Sequence, residues 1–144
     1  MATRIAALAL ALCLSGAAQA QLPVVDLSAG MHRIRAELAD TFASRMQGLM
    51  HRAALAPNAG MLFVFDDNSL HCMWMKNTLI PLSVAFIDEA GAVVNIADMR
   101  PHDEQSHCAA RPVRYALEME RGWFARRGIK PGAKLRGLGP SKRS

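Results

Sequence analysis

Residues 71–81 form an apolar segment that carries an unusual set of reactive and metal-ligating side chains and ends at a proline. The imidazole, thiol, thioether, indole and amine groups belong to His71, Cys72, Met73, Trp74, Met75 and Lys76. Side chains alternate between the two faces of a β-strand. As a strand, the segment would place His71, Met73 and Met75 on one face, and Cys72, Trp74 and Lys76 on the other.

The face formed by His71, Met73 and Met75 is a candidate metal site. Thioether and imidazole groups are soft ligands, which the cuprous ion prefers. Methionine is also a common gap-filling residue in hydrophobic cores, and the chain has neither a Met-x-x-Met repeat nor a His-rich tract. Copper binding through these three residues is therefore an alternative function, and we expect no other cofactor.

The first twenty residues have the pattern of a secretory signal peptide. Arg4 supplies a positive start, an apolar stretch covers residues 5–14, and Ala18-Gln19-Ala20 fits the small-x-small cleavage pattern. The apolar stretch is shorter than a transmembrane helix requires. We expect cleavage after Ala20, no transmembrane segment in the mature chain, and a periplasmic or secreted location.

Cys72 and Cys108 are the two cysteines that would remain after cleavage. An even number of cysteines in an oxidising compartment favours a disulfide, which would close a loop of roughly 36 residues and stabilise the fold by about 3 to 4 kcal/mol. Each cysteine follows a histidine, so a zinc site of two cysteines and two histidines is the alternative. Because neighbouring strand residues point to opposite faces, four such ligands converge only with difficulty.

The whole chain has a formal net charge of +5, and positive charge is concentrated in its last third. The basic residues from position 111 onward are Arg111, Arg114, Arg121, Arg126, Arg127, Lys130, Lys134, Arg136, Lys142 and Arg143. Nucleic-acid binding would require basic residues interleaved with exposed aromatic ones, and export would remove the protein from such a partner. A solvated basic face is the simplest interpretation, and an anionic envelope surface is the compatible partner for peripheral contact.

Hydrophobic alternation with a period of two predicts a β-rich chain. Residues 31–38 and 113–119 alternate as half-buried strands do, whereas residues 61–65 are apolar throughout, as in a strand covered on both faces. Residues 82–87 and 92–97 flank a turn-rich gap and predict a hairpin.

Helix signals are few and short. Asp40 or Thr41 can cap a helix that runs to about Gln47 before Gly48, and a second helix fits residues 123–127. The predicted fold class is mainly β, a single-domain antiparallel sandwich or small barrel with two short helices. The predicted organisation is a signal peptide (1–20), an N-terminal lead-in (21–30), a β-rich domain (31–138) and a basic tail (139–144).

Several motifs, in chain order, resemble the domain of unknown function 192 family. They cover residues 45–52, 60–65, 74–82 and 86–88, and Leu117-Glu118 with Gly122. The string Trp-Met-Lys-Asn-Thr at residues 74–78 is the most specific, and the match extends from about Ile34 to Leu138. The resemblance implies a small, compact β-rich domain, often exported, with no established activity. Ser83 departs from the family pattern, which usually has aspartate at this position.

The polar and aromatic residues of these motifs form the candidate ligand-binding site, Arg45, Arg52, Trp74, Lys76, Asn77 and Thr78. If the helical turn continued past Gly48, Arg45 and Arg52 would lie on roughly the same side and could bind carboxylate or phosphate. Alternatively, each arginine pairs internally with Asp88 or Glu118 and serves folding.

We expect an exported ligand-binding or envelope-associated module rather than an enzyme. An indole beside cationic donors suits an anionic or carbohydrate-like ligand. No Gly-x-Ser-x-Gly, phosphate-binding glycine-rich loop or His-Glu-x-x-His motif occurs, so no catalytic residue is assigned. Two alternatives remain, a cuprous-ion binding protein using His71, Met73 and Met75, and a small hydrolase or transferase with Lys76 as base.

Overall fold

Nine strands and two short helices make up the described part of the chain, residues 21–139, in a computed structural model. In chain order they are β1 (Val24–Ala29), β2 (His32–Ala39), α1 (Phe42–Gln47), β3 (Ala59–Ser69), β4 (Cys72–Met73), β5 (Leu82–Ile87), β6 (Val93–Met99), β7 (His107–Cys108), β8 (Val113–Glu120), α2 (Trp123–Arg126) and β9 (Leu135–Arg136). The predicted signal peptide and residues 140–144 of the predicted basic tail lie outside the described residues. No helix within residues 21–139 has the length and apolar character needed to cross a membrane.

Seven strands form one curled sheet in the order β6-β5-β8-β3-β2-β1-β9, and β4 pairs with β7 in a separate ribbon. Neighbouring strands are antiparallel except β2 and β3, because α1 and the loop after it return the chain to the same end of the sheet. The outer strands approach each other where Ala92 bridges Lys134. The sheet is therefore a half-barrel, and the prediction of a mainly β single domain is confirmed.

Both faces of the central strands are covered, which produces two hydrophobic cores. On β5, Ala85 and Ile87 face the inner core, which α2 closes with Trp123 and Phe124. The alternate β5 residues face an outer core, which the loop 74–81 covers with Met75 and other side chains. The prediction that β8 is half-buried is wrong, because this outer cover also buries the strand's polar face.

The local predictions agree closely with the helices and the hairpin. The Thr41 hydroxyl accepts a hydrogen bond from the Ser44 N–H at 3.1 Å and caps α1, which Gly48 terminates with a φ of +47°. The hairpin is β5 and β6, and α2 begins at Trp123 as expected. The segment predicted as a lead-in contains β1, whose Leu27 and Ala29 are buried in the inner core.

The segment 71–81 is mostly a loop. Only Cys72 and Met73 are in a strand, and Asn77 adopts a left-handed conformation with a φ of +52°. The predicted strand therefore ends at Met73. Cys72 lies opposite Cys108 in the β4–β7 ribbon, and the two are joined by a disulfide.

Ser83 occupies a fully buried polar position on β5, next to the neighbouring strand β6. Its hydroxyl donates a hydrogen bond to Asp98 of β6 and accepts one from the Gly122 N–H at 2.9 Å. Asp98 lies directly opposite Ser83 in the sheet. A carboxylate is therefore present at this position of the fold, although it comes from β6 rather than from residue 83.

Candidate functional site

Glu118 is a buried carboxyl group in the middle of the sheet. It lies on β8, opposite Met61 of β3 and Val84 of β5, and only 3% of its surface is exposed. Within residues 21–139, no hydrogen bond or ion pair to this carboxyl group occurs. Burial raises the pKa of Glu118 to about 8, because low-dielectric surroundings disfavour the charged form. The group is therefore largely protonated at neutral pH.

A small pocket opens above Glu118. One wall is formed by α1 and the turn after it, residues 45–50, and the other by Met73, Trp74 and Thr78. Its volume is about 30 Å³, enough for a water molecule or a similarly small group. Because a buried carboxyl group without a partner is costly, it is the kind of group that marks a functional site.

Two glycines allow the close packing around this pocket. A Cβ on Gly60 would stand only 2.3 Å from the Glu118 carbonyl oxygen, so β3 can approach β8 there only without a side chain. A Cβ on Gly48 would lie 3.4 Å from the Phe63 ring, and the φ of +47° at Gly48 also favours glycine. Gly48 thereby lets the chain turn back across the pocket after α1.

Arg45 lines the pocket, but both of its terminal nitrogens bind groups of β3. Nη1 donates to the Val64 carbonyl oxygen at 2.9 Å, and Nη2 pairs with Asp66 at 2.7 Å. Arg45 therefore pairs internally, but with Asp66 and not with the expected partners Asp88 or Glu118.

Arg52 does not join Arg45. It forms a two-pronged ion pair with Glu37 of β2, in which Nη1 lies 3.1 Å from Oε1, and this hydrogen bond raises the pKa of Arg52. It borders a separate groove with a volume of about 790 Å³. Helix α1 ends at Gln47, so the helical turn that would have brought Arg45 and Arg52 together is absent. The ion-pair partner of Arg52 is Glu37 and not the expected Asp88 or Glu118.

The four remaining predicted site residues lie on the loop that follows β4. Trp74 is 41% exposed at the pocket rim, and the Lys76 amine lies 5.2 Å from the centre of its ring. The Asn77 carbonyl oxygen accepts the His51 N–H at 2.9 Å, and the buried Thr78 hydroxyl donates to the Lys76 carbonyl oxygen. The structure thus brings Arg45, Trp74 and Thr78 to the pocket, but not Arg52, Lys76 or Asn77.

The three residues expected to bind copper lie in different surroundings. Met75 is fully buried in the outer core, and the His71 ring stacks on Phe65 at 3.7 Å. Met73 alone of the three lines the pocket. In the ribbon it lies opposite His107, whose Nε2 is buried with no hydrogen-bond partner among the described residues.

The pocket residues Glu118, Met46 and Met50 were not predicted from the sequence to be site residues. The Leu117-Glu118 motif of the family is a weak indication that Glu118 belongs to a site. The alternating pattern of residues 113–119 does not show that the Glu118 side chain is buried. Met46 and Met50 are four residues apart, a spacing that is meaningful only once α1 and its turn are placed against β4.

The fold and the order of the motifs define a small β half-barrel whose outer face is closed by loops and by a disulfide-linked ribbon. The chain belongs to the domain of unknown function 192 family, described as an uncharacterized ACR, whose model matches residues 24–137. The resemblance found in the sequence is thereby confirmed.

Two solved structures are similar to the described fold. A proposed transcription regulator from Sinorhizobium meliloti is 37% identical, with a TM-score of 0.78, over 85% of this chain and 99% of that one. A protein of unknown function from Novosphingobium aromaticivorans is 36% identical, with a TM-score of 0.77, over 94% of this chain and 99% of that one. No curated protein matches the chain.

Proposed function

We propose that this protein is an exported ligand-binding module that receives one hydroxyl-bearing group of a carbohydrate-like ligand in the pocket above Glu118. The observation that carries the proposal is the buried carboxyl group of Glu118, which faces this pocket and has no partner among the described residues. A protonated carboxyl group both donates and accepts hydrogen bonds, and a hydroxyl group does the same. The two groups are therefore complementary.

The size of the pocket limits how the ligand binds. A volume of about 30 Å³ accepts one small group and excludes a whole sugar ring. The rest of the ligand would lie outside, where the exposed indole of Trp74 offers a flat apolar surface for stacking. We therefore propose a ligand that inserts a hydroxyl or hydroxymethyl group and rests on Trp74.

An anionic ligand, the other expected class, has less support. Arg45 pairs with Asp66, Arg52 pairs with Glu37, and the Lys76 amine lies over the Trp74 ring. An anion entering the pocket would also meet the Glu118 carboxyl group. The alternative of an enzyme with Lys76 as base has less support too, because Lys76 is exposed and lysine bases are generally desolvated.

Export and contact with the envelope surface are parts of the same proposal. The signal-peptide pattern at residues 1–20 and the Cys72–Cys108 disulfide support an oxidising compartment. The basic last third of the chain supports peripheral contact with an anionic envelope surface.

The proposal is tested by calorimetric titration of the mature protein with neutral oligosaccharides, and with sugar phosphates and dicarboxylates as an anionic comparison. We expect a neutral sugar to bind, and Trp74→Ala to weaken that binding at least about tenfold through the loss of stacking. Glu118→Gln should weaken it less, because an amide still donates and accepts. Lys130→Ala is the matched control, because Lys130 is an exposed lysine that does not line this pocket, and it should bind as the unaltered protein does. Binding confined to the anionic compounds, or unchanged in Trp74→Ala, would overturn the proposal.

A further inference from the structure

Three methionines from different parts of the chain line the pocket above Glu118. Met46 lies on α1, Met50 follows the turn after α1, and Met73 lies on β4. These methionines therefore line both walls of one small pocket.

The three pocket methionines are more exposed than the methionines of the two cores, although Met73 also packs against the outer core. Met61, Met75, Met99 and Met119 are each 0% exposed and fill the two cores, which is the usual role of this residue. By contrast, Met46 is 52% exposed, and Met50 and Met73 are partly exposed. The pocket methionines thus differ in placement from the structural ones.

Two buried polar groups next to these methionines lack partners within residues 21–139. One is the carboxyl group of Glu118 in the pocket, and the other is Nε2 of His107, directly across the ribbon from Met73. Side chains that face each other across a ribbon lie within contact distance. A cation in the pocket would take the place of the Glu118 proton, because Arg45 is paired with Asp66 and does not neutralise this carboxyl group.

We propose that the pocket is a cuprous-ion site in which Met46, Met50 and Met73 provide thioether ligands and Glu118 provides the negative charge. Thioethers bind soft ions such as Cu(I), whereas magnesium and calcium prefer oxygen ligands. The Trp74 indole at the rim adds an aromatic surface that attracts a cation. This set retains Met73 from the ligands expected from the sequence and replaces His71 and Met75 with Met46 and Met50.

Binding exchanges one proton for one metal ion. The Glu118 carboxyl group loses its proton to solvent, the carboxylate balances the charge of Cu(I), and no electron is transferred, so the ion must be supplied already reduced. The proposal rests on the same pocket as the carbohydrate-like ligand but not on binding of that ligand. A bound ion would fill the pocket, so the two ligands should compete.

The experiment titrates the mature protein with Cu(I) under ascorbate against a chromophoric Cu(I) chelator. We expect one ion per chain. Met46→Leu/Met50→Leu/Met73→Leu should lower the affinity by at least about 100-fold, because leucine keeps the apolar volume but offers no sulfur ligand. Met31→Leu is the control, because Met31 is exposed away from the pocket, and it should bind as the unaltered protein does.

A charge-removing variant tests the part played by Glu118. Glu118→Gln should lower the affinity for Cu(I) at least about tenfold, because the amide keeps the shape of the side chain but supplies no negative charge. If the triple variant fails to fold, Met50→Leu and Met73→Leu are tested singly, and each should weaken binding at least about tenfold.

The results for metal and sugar are distinguishable. Retention of tight Cu(I) binding in the variants of Met46, Met50 and Met73 would overturn the metal proposal. The proposal would also be overturned if His71→Ala/Met75→Leu lost Cu(I) binding while the variants of Met46, Met50 and Met73 kept it. Failure of the sugar proposal would instead appear as no sugar binding by the unaltered protein, or as unchanged sugar binding in Trp74→Ala, whatever the metal result.

Discussion

Arg45 pairs with Asp66, with 2.7 Å between Nη2 and Oδ2, although the unpaired carboxyl group of Glu118 lines the same pocket as Arg45. The other terminal nitrogen of Arg45 is bound to the Val64 carbonyl oxygen. The guanidinium group is therefore held on β3 and does not neutralise Glu118. The raised pKa of Glu118 follows, because burial disfavours its charge and no cation offsets that effect.

The pH dependence of stability should reveal Glu118. Its pKa is raised from 4.5 in the unfolded chain to about 8 in the folded one, so the folded state binds the extra proton between these values. The contribution of Glu118 to the free energy of unfolding is then highest below pH 4.5 and falls by up to about 1.4 kcal/mol per pH unit as the pH rises toward 8. Urea denaturation at a series of pH values measures this slope.

Glu118→Gln should remove most of that slope and leave the variant more stable than the unaltered protein near pH 8. Glu120→Gln is the matched control, because Glu120 lies on the same strand but is exposed. Equal slopes in the unaltered protein and in Glu118→Gln would show that the carboxyl group is not desolvated in the folded protein.

Arg45 should contribute to folding through its two contacts with β3. We expect Arg45→Ala to lower the free energy of unfolding by about 1 to 2 kcal/mol, because it leaves the Val64 carbonyl oxygen without its donor. Asp66→Asn should cost less than about 1 kcal/mol, since Asp66 is exposed and such ion pairs are weak. Chemical denaturation measures both. A fully stable Arg45→Ala protein that has lost its ligand would instead assign Arg45 to binding.

Cys72 and Cys108 should be joined by a disulfide in the purified protein, as they are in the structure. Thiol titration of the denatured, unreduced mature chain should detect almost no free thiol, and two reactive thiols per chain would contradict the structure. The bridged residues are 36 positions apart, and Cys72→Ala/Cys108→Ala should lower stability by about 3 to 4 kcal/mol through the larger entropy of the unfolded chain. Because Met73 and Trp74 directly follow Cys72, the double variant should also bind the proposed sugar and Cu(I) more weakly than the unaltered protein does.

Lys76 should be dispensable for folding. Its side chain is exposed, and its described contact is with the Trp74 ring at 5.2 Å. Lys76→Ala should therefore change the free energy of unfolding by no more than about 0.5 to 1 kcal/mol, the size of an exposed cation–π contact. Thermal denaturation checks this, with Trp74→Ala as a comparison. Unfolding of Lys76→Ala would show that the amine has a buried partner.

Local signals in the sequence determined much of the fold. The cap at Thr41 and the stop at Gly48 define α1, and the turn between residues 87 and 93 defines the β5–β6 hairpin. These features depend on backbone conformations and hydrogen bonds among near neighbours, so a single sequence is sufficient to predict them. The cysteine count was sufficient in the same way for the disulfide, since only two cysteines follow the predicted cleavage point.

The site depended on contacts between distant parts of the chain. Alternation along residues 113–119 shows that Glu118 and Leu117 face opposite sides, but it cannot show whether the Glu118 side is covered. The cover comes from α1, its following turn and the loop after β4, all remote in sequence from β8. The same assembly brings Met46, Met50 and Met73 together and separates Arg45 from Arg52. The sequence by itself determined which residue types were present and which local elements they formed. Only tertiary packing, which decides which polar groups lose water and which neighbours replace it, placed an unpaired carboxyl group in a pocket lined by three methionines.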